Sequence, residues 1–439
     1  MTTQTEALAA ITLEEAVRTL TFRSGYNTAL VIAGTSLLGL AAGVVGVFAL
    51  LRKRSLVTDA LAHATLPGIA AAFIAATALG AQGRSTPVLL LGAAVSGIVS
   101  IVAIQGIVRF SRLREDAAIG IVLSVSFGIG IVGLSYIQSN SPANAGGIHD
   151  FIFGNAATMQ PSDVLIMAGI AAAAVVVTLL LAKEFSLACF NSAFARVTGW
   201  PVGLIDLIMM TGVVAVTIAG LQAVGMILVV SLLIIPPVAA RFWTDRLAHL
   251  IVISAGIGAA SGYLGGAISS LLPRQPAGAI IVLAAGSVFI VSMVAAPARG
   301  LLITAWRHLR LRIRIAGDHL LEAAHDSRSD ELSKADLASI AAHRGWSRWL
   351  QTLLLIALRQ RRCIEPSAGT WRITPEGLAR GARVARNHAL WERYLVTYAD
   401  IAPSHVDWSV DQVEHVLSDQ LVAELEQGLA SPSPAGAAT

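Results

Sequence analysis

Lysine is nearly missing from this chain: Lys53, Lys183 and Lys334 are the only three among 439 residues. None follows a glycine-rich turn, so no Gly-x-x-x-x-Gly-Lys-Ser/Thr loop exists to cradle nucleotide phosphates. A P-loop ATPase is therefore excluded, and any drive from ATP must come from a separate subunit. Cysteine is as scarce. Cys189 and Cys363 stand far apart with no Cys-x-x-Cys spacing, which argues against a disulfide framework and against a zinc ribbon. Charged residues make up only 13% of the chain, where ordinary soluble domains carry about 25%. No nucleophile–base constellation appears, so the chain does not read as an enzyme. The first residues lack a basic start followed by a short apolar core, and carry Glu6, Glu14 and Glu15, so no cleavable signal is expected.

What fills the chain is hydrocarbon. Hydrophobic residues reach 55%, mean hydropathy is +0.71, and the apolar residues come in runs of roughly twenty, enough to cross about 30 Å of lipid. The candidate spans are 28–51, 58–80, 87–108, 117–137, 162–182, 204–220, 222–240, 247–271 and 278–297. The division around Gly220-Leu221-Gln222 is the weakest, so eight spans with one re-entrant segment also fit. The expected fold is an all-α polytopic membrane protein of eight to nine transmembrane helices with a small cytoplasmic α+β unit.

Loop charge then orients the spans. Arg52-Lys53-Arg54, Arg109/Arg112/Arg114, Lys183/Arg196, Arg241/Arg246 and Arg299/Arg307 all fall on one side. The other side has Arg84, Arg274 and a long loop, 138–161, without Lys or Arg. Positive charge collects on the cytoplasmic side, so the N-terminus is expected outside and the C-terminus inside a multi-pass cell-membrane protein. The pI of 9.4 is explained by these loops and needs no nucleic-acid partner. The expected organisation is an outer segment 1–27, a membrane domain 28–300, a basic linker 301–316 (Arg307, Arg310, Arg312, Arg314), a cytoplasmic domain 317–428 and a polar tail 429–439.

Two ionisable residues interrupt the second apolar run. Asp59 and His63 are four apart, so a helix places them on one face a turn from each other. Such a pair is expensive at membrane depth unless it faces a cavity or a partner. Carboxylate oxygen with imidazole nitrogen is also a donor set for a divalent first-row metal. The alternative makes Thr58 or Asp59 a helix N-cap and His63 an imidazole satisfied by a neighbouring helix. Further on, a short helix from Asn191 to Thr198 is expected to end at Gly199, with Pro201 starting the next span. Asp206, close after Pro201, suits a helix N-terminus and reads as structural. Arg241 and Asp245 read as interface anchors.

The blocks RSLVTDALAHATLPG (54–68), IHDFIFG (148–154), FNSAFARVTG (190–199) and QAVGMILVVSLLIIPPVAAR (222–241) resemble, in order, the permease subunits of ATP-binding-cassette importers for zinc, manganese and iron. The resemblance covers roughly residues 25–300. It implies a permease that acts as a homodimer or with a second permease subunit, two ATPase subunits on the cytoplasmic side, and an extracytoplasmic metal-binding protein. It makes Asp59 and His63 a site on the metal path, and makes Phe190, Asn191, Ala195 and Gly199 part of the coupling helix that meets the ATPase. Asn191 departs from the acidic residue usual in the family. His149 and Asp150, on the outer loop, fit docking of the binding protein or a re-entrant turn better than a passing-metal site. No cofactor is expected to stay bound. The cargo is expected to be manganese, then iron, then zinc.

Beyond residue 317 three helices lead to a two-stranded wing turning at Ala368-Gly369, followed by a helix that starts at Thr374-Pro375-Glu376. Arg386–Leu395 and Asp407–Asp419 continue as helical motifs. This region, 317–428, resembles the iron- and manganese-dependent repressors, from winged helix to dimerisation helices. Carried over by position, the ligand candidates for a regulatory Mn2+ or Fe2+ are His388 and Glu392, with Asp411, Glu414 and His415. Asp318 and Glu322 match the family's N-terminal ligand segment loosely. Asp411 stands where relatives often have cysteine or glutamate. Trp346 and Trp349 occupy the recognition stretch where small polar groups would approach bases, so metal sensing or dimerisation is favoured over DNA binding. The alternative overall reading is a membrane-tethered metal-dependent regulator.

Overall fold

A computed structural model describes residues 13–21, 23, 25–52, 55–80, 86–140, 159–272, 277–398 and 422–424. The chain divides into two compact units, Met1–Ile303 and Thr304–Thr439. The first contains α1 (Leu13–Leu20), α2 (Tyr26–Leu51), α3 (Ser55–Ala78), α4 (Thr86–Phe110), α5 (Glu115–Asn140) and α6 (Pro161–Leu180). Two short helices follow, α7 (Ala182–Phe190) and α8 (Ser192–Val197). Then come α9 (Val202–Val224), α10 (Met226–Arg241), α11 (Leu247–Leu271) and α12 (Ala277–Ala295). Eight of these, α2 to α6, α9, α11 and α12, are long and apolar enough to cross a membrane.

The ninth expected span is α10, and it is short. Its 16 residues reach only about 24 Å, less than the hydrocarbon thickness. It is nonetheless among the most buried parts of the unit, with Val229 and Leu232 fully enclosed. The division from α9 lies at Gly225, a few residues beyond the expected one. Gly225 has φ +85 and ψ 165, a backbone state that belongs essentially to glycine. There the chain doubles back, since Gly220 of α9 rests against Val229 of α10.

Small residues build the packing. On α2, Thr35, Gly39 and Gly43 recur every fourth position, and α11 answers with Gly262, Gly258 and Ser254. The Thr35 hydroxyl donates to the Gly262 carbonyl at 2.9 Å, and the Ser254 hydroxyl to the Gly43 carbonyl at 2.6 Å. Between these bonds the backbones touch at Gly39 and Gly258. In lipid, where apolar burial drives little, such close contact is what holds helices together. A second bundle forms around α3: Gly68 meets Gly92 of α4, and Gly130 of α5 sits under Leu66 and Pro67.

The second unit starts on α13 (Leu301–Asp326) and continues through β1 (Glu331–Leu332), α14 (Lys334–His343), α15 (Arg348–Gln360), β2 (Ile364–Ser367), β3 (Thr370–Ile373) and α16 (Pro375–Tyr398). The strands form an antiparallel sheet in the order β1-β3-β2. The wing turn falls at Ala368 and Gly369, both at positive φ. Thr374 caps α16 by accepting from the Gly377 N–H at 3.1 Å. Strand β1, only two residues long, has no sequence signal. Leu320, Leu321, Leu354, Leu358, Ile364 and Ile373 make the core. Trp346 packs against that core and Trp349 is exposed.

Candidate functional site

Helix α3 begins at Ser55, so Asp59 lies a turn inside it and is not the N-cap. The His63 Nε2 stands 3.7 Å from Asp59 Oδ1, with the imidazole less exposed than the carboxylate (23% against 47%). The ring is held edge-on to Phe127 of α5, centroids 5.1 Å apart, and its Nδ1 is buried without a hydrogen-bond partner among the described residues. Pro67 adds a backbone effect. Lacking an N–H, it leaves the His63 carbonyl without its helical donor. One turn of α3 thus gathers a carboxylate, an imidazole with an unused nitrogen and a carbonyl released from the helix ladder. All are hard or borderline donors of the kind manganese, ferrous iron and zinc accept.

The element expected to meet the ATPase sits between α6 and α9. Asn191 caps α8, its Oδ1 accepting from the Phe194 N–H at 3.0 Å. Asparagine and aspartate cap helices about equally well, so the missing acid leaves this local structure intact. Ala195 is fully buried while Phe190, Phe194 and Val197 face outward, an apolar cluster of the sort that marks a protein contact. Gly199 takes φ +85 and ends the element.

Sequence reading missed how this element is anchored. Arg52, at the end of α2, donates from Nη1 to the Ala188 carbonyl at 2.9 Å and from Nη2 to Asp206 Oδ2 at 2.5 Å. Phe48 of α2 meets Phe185 of α7 edge to face, centroids 4.9 Å apart. Asp206 therefore complements more than its own helix end. Asp245 pairs with Arg299 at 2.6 Å.

In the second unit, Glu322 of α13 gathers two histidines. His388 Nδ1 of α16 lies 3.1 Å from one carboxylate oxygen, and His319 Nδ1 lies 3.5 Å from the other. Burial pushes the Glu322 carboxyl up, but hydrogen bonds and charge from His319 and His388 outweigh it and hold the group at about 2. Arg380 closes on Asp318 at 2.7 Å beside them. Of the expected ligands, His388 joins this cluster and Glu392 makes no ion pair with it. Asp411, Glu414 and His415 lie outside the described residues, as do His149 and Asp150. Among the described residues no group of three or more His, Cys, Asp or Glu side chains is arranged to hold a metal ion. The two cysteines are not bridged to each other.

The profile of the ABC 3 transport family matches residues 26–296, and that of the iron dependent repressor metal-binding and dimerisation domain matches 374–434. The chain is 39% identical over 377 residues to the manganese transport system membrane protein MntC of Bacillus subtilis, covering 86% of each. That alignment is longer than the first unit, so it reaches into the second. The zinc transport system membrane protein TroC of Treponema pallidum is 39% identical over 290 residues, 66% of this chain and 96% of that protein. Among solved structures, PsaBC from Streptococcus pneumoniae in complex with Fab superposes with a TM-score of 0.57 at 30% identity. The superposition covers 69% of this chain and all of that one.

Proposed function

This chain belongs to the ABC 3 transport family of metal-transporter permeases, and from that premise we propose that it carries a divalent metal into the cytoplasm, manganese first, then iron, then zinc. As in its relatives, the chain is a permease subunit and not an enzyme. ATP hydrolysis belongs to separate ATPase subunits, and delivery to an extracytoplasmic binding protein. The observation that carries the reading is the Asp59–His63 turn of α3. Nothing in helix packing calls for an imidazole with a buried, unused nitrogen there, and a passing cation answers it. The order of metals rests on the manganese relative, whose match extends into the second unit of this chain, and on carboxylate-rich rather than thiolate donors.

In operation, the binding protein releases metal at the outer face and the α3 donors take it up in place of water. ATP-driven movement of the ATPase subunits against Phe190, Phe194 and Val197 then shifts the helices to open the inner side. The second unit, on the cytoplasmic side by the loop charges, reads incoming metal through the α13–α16 cluster together with residues further along the chain. Elemental analysis of a deletion strain complemented with this chain tests the reading. Restored manganese accumulation supports it, and unchanged accumulation of all three metals overturns it. The runner-up, a membrane-tethered metal regulator, draws support only from the second unit, and predicts altered gene expression with unaltered uptake.

A further inference from the structure

We propose that Arg52 is a positioning residue that couples the ATPase-contacting element to the metal-bearing helix. The proposal rests on reading α8 as the ATPase contact. The guanidinium joins three places at once. It caps the C-terminal end of α2, it holds the carbonyl of Ala188 near the end of α7, and it holds the carboxylate of Asp206 in the first turns of α9. Ala188 and Asp206 flank the α8 element on either side, so one side chain grips both of its roots.

The grip is stiff. The Arg52 and Asp206 side chains are only 13% and 9% exposed, and Ala188 is fully buried. A paired charge in so dry a place is strongly held, since losing either partner strands the other. The fork also matters, because its two donors serve two separate chain segments, whereas a lysine ammonium is a compact point charge on a flexible stem. Phe48 against Phe185 adds an apolar contact between the same two helices, so α7 cannot roll without moving the end of α2. Asp206, the guanidinium's other partner, belongs to α9, and α9 packs against α3, which carries Asp59 and His63. A push on α8 therefore reaches the metal turn through Arg52, Asp206 and the packing of α9 on α3.

The test uses the full-length permease, co-purified with its ATPase subunits, reconstituted in vesicles with its binding protein and supplied with manganese alone. ATP hydrolysis and manganese uptake are measured in parallel for Arg52→Lys, Arg52→Gln, Asp206→Asn and the double variant R52Q/D206N. The double variant removes both charges and so leaves neither stranded should the single changes fail to fold. Uptake is expected to fall by about tenfold or more while hydrolysis stays within about twofold of wild type, the size of an ordinary coupling loss. Parallel loss of both activities in an assembled complex overturns the proposal, and so does wild-type uptake in the double variant. The reading of α8 is checked separately: if Phe194→Ala together with Val197→Ala leaves ATPase association unchanged, that reading fails whatever Arg52 does.

Discussion

Gly39 of α2 and Gly258 of α11 meet backbone to backbone, so closely that a Cβ built on either would come within 2.1 Å of the other's carbonyl oxygen. The contact leaves no room for a side chain of any size.

Gly258→Val is accordingly expected to cost about 1–3 kcal/mol, the usual penalty for forcing extra atoms into a tight interior. Thermal unfolding of the purified protein in detergent measures it. An unchanged melting temperature would show that the seam yields more readily than its geometry indicates.

Asp59→Ala and His63→Ala are each expected to cut metal uptake by about 10–100-fold or more, since weakening even a ligand's supporting partner costs that much. Both variants should stay folded and keep their ATPase subunits. Uptake at the wild-type level by the well-expressed double variant would remove α3 from the metal path.

Glu322 supplies a pH signature. Its carboxyl sits at about 2 in the folded chain against an ordinary 4.5. A carboxyl lowered on folding stabilises the native state above its unfolded value and loses that contribution as pH falls through the folded one. Metal-free protein should therefore lose stability between about pH 4.5 and 2. Glu322→Gln should be less stable at neutral pH and lack this acid leg. Chemical denaturation followed across that range in a chelator distinguishes the two.

Metal reading by the second unit, as proposed, predicts that accumulated cytosolic manganese slows uptake, and that cutting the chain after Ile315 leaves uptake in place and removes that slowing. Uptake time courses in cells preloaded with manganese decide this. Inhibition that persists in the shortened chain would separate the second unit from control of transport.

Much of this was legible in sequence because hydropathy and turn chemistry act locally. Long apolar runs became long helices, Ala368-Gly369 became the wing turn, and Thr374 became a cap. The break between α9 and α10 lies a few residues beyond where hydropathy points, because apolar residues continue through it. Only Gly225, a single residue with an unusual backbone state, marks the reversal. The partnership of Arg52 with Asp206 spans 154 positions and leaves no local trace. Asp206 alone suits its own helix end and Arg52 alone suits a charged loop, so neither residue by itself points to the other. The capping role of Asn191, by contrast, was available from residue type alone.

The glycine seams also say where this molecule can move. Interlocked backbones resist sliding, because every step of displacement must lift one helix over the other's carbonyl groups. Helices α2 and α11 therefore travel as one stiff block, and α3, α4 and α5 as another. Direct contact between α2 and α3 is sparse by comparison. For the proposed transport, alternation between outward and inward access is then expected as two rigid plates rocking past each other, and not as bending of the helix that bears Asp59 and His63.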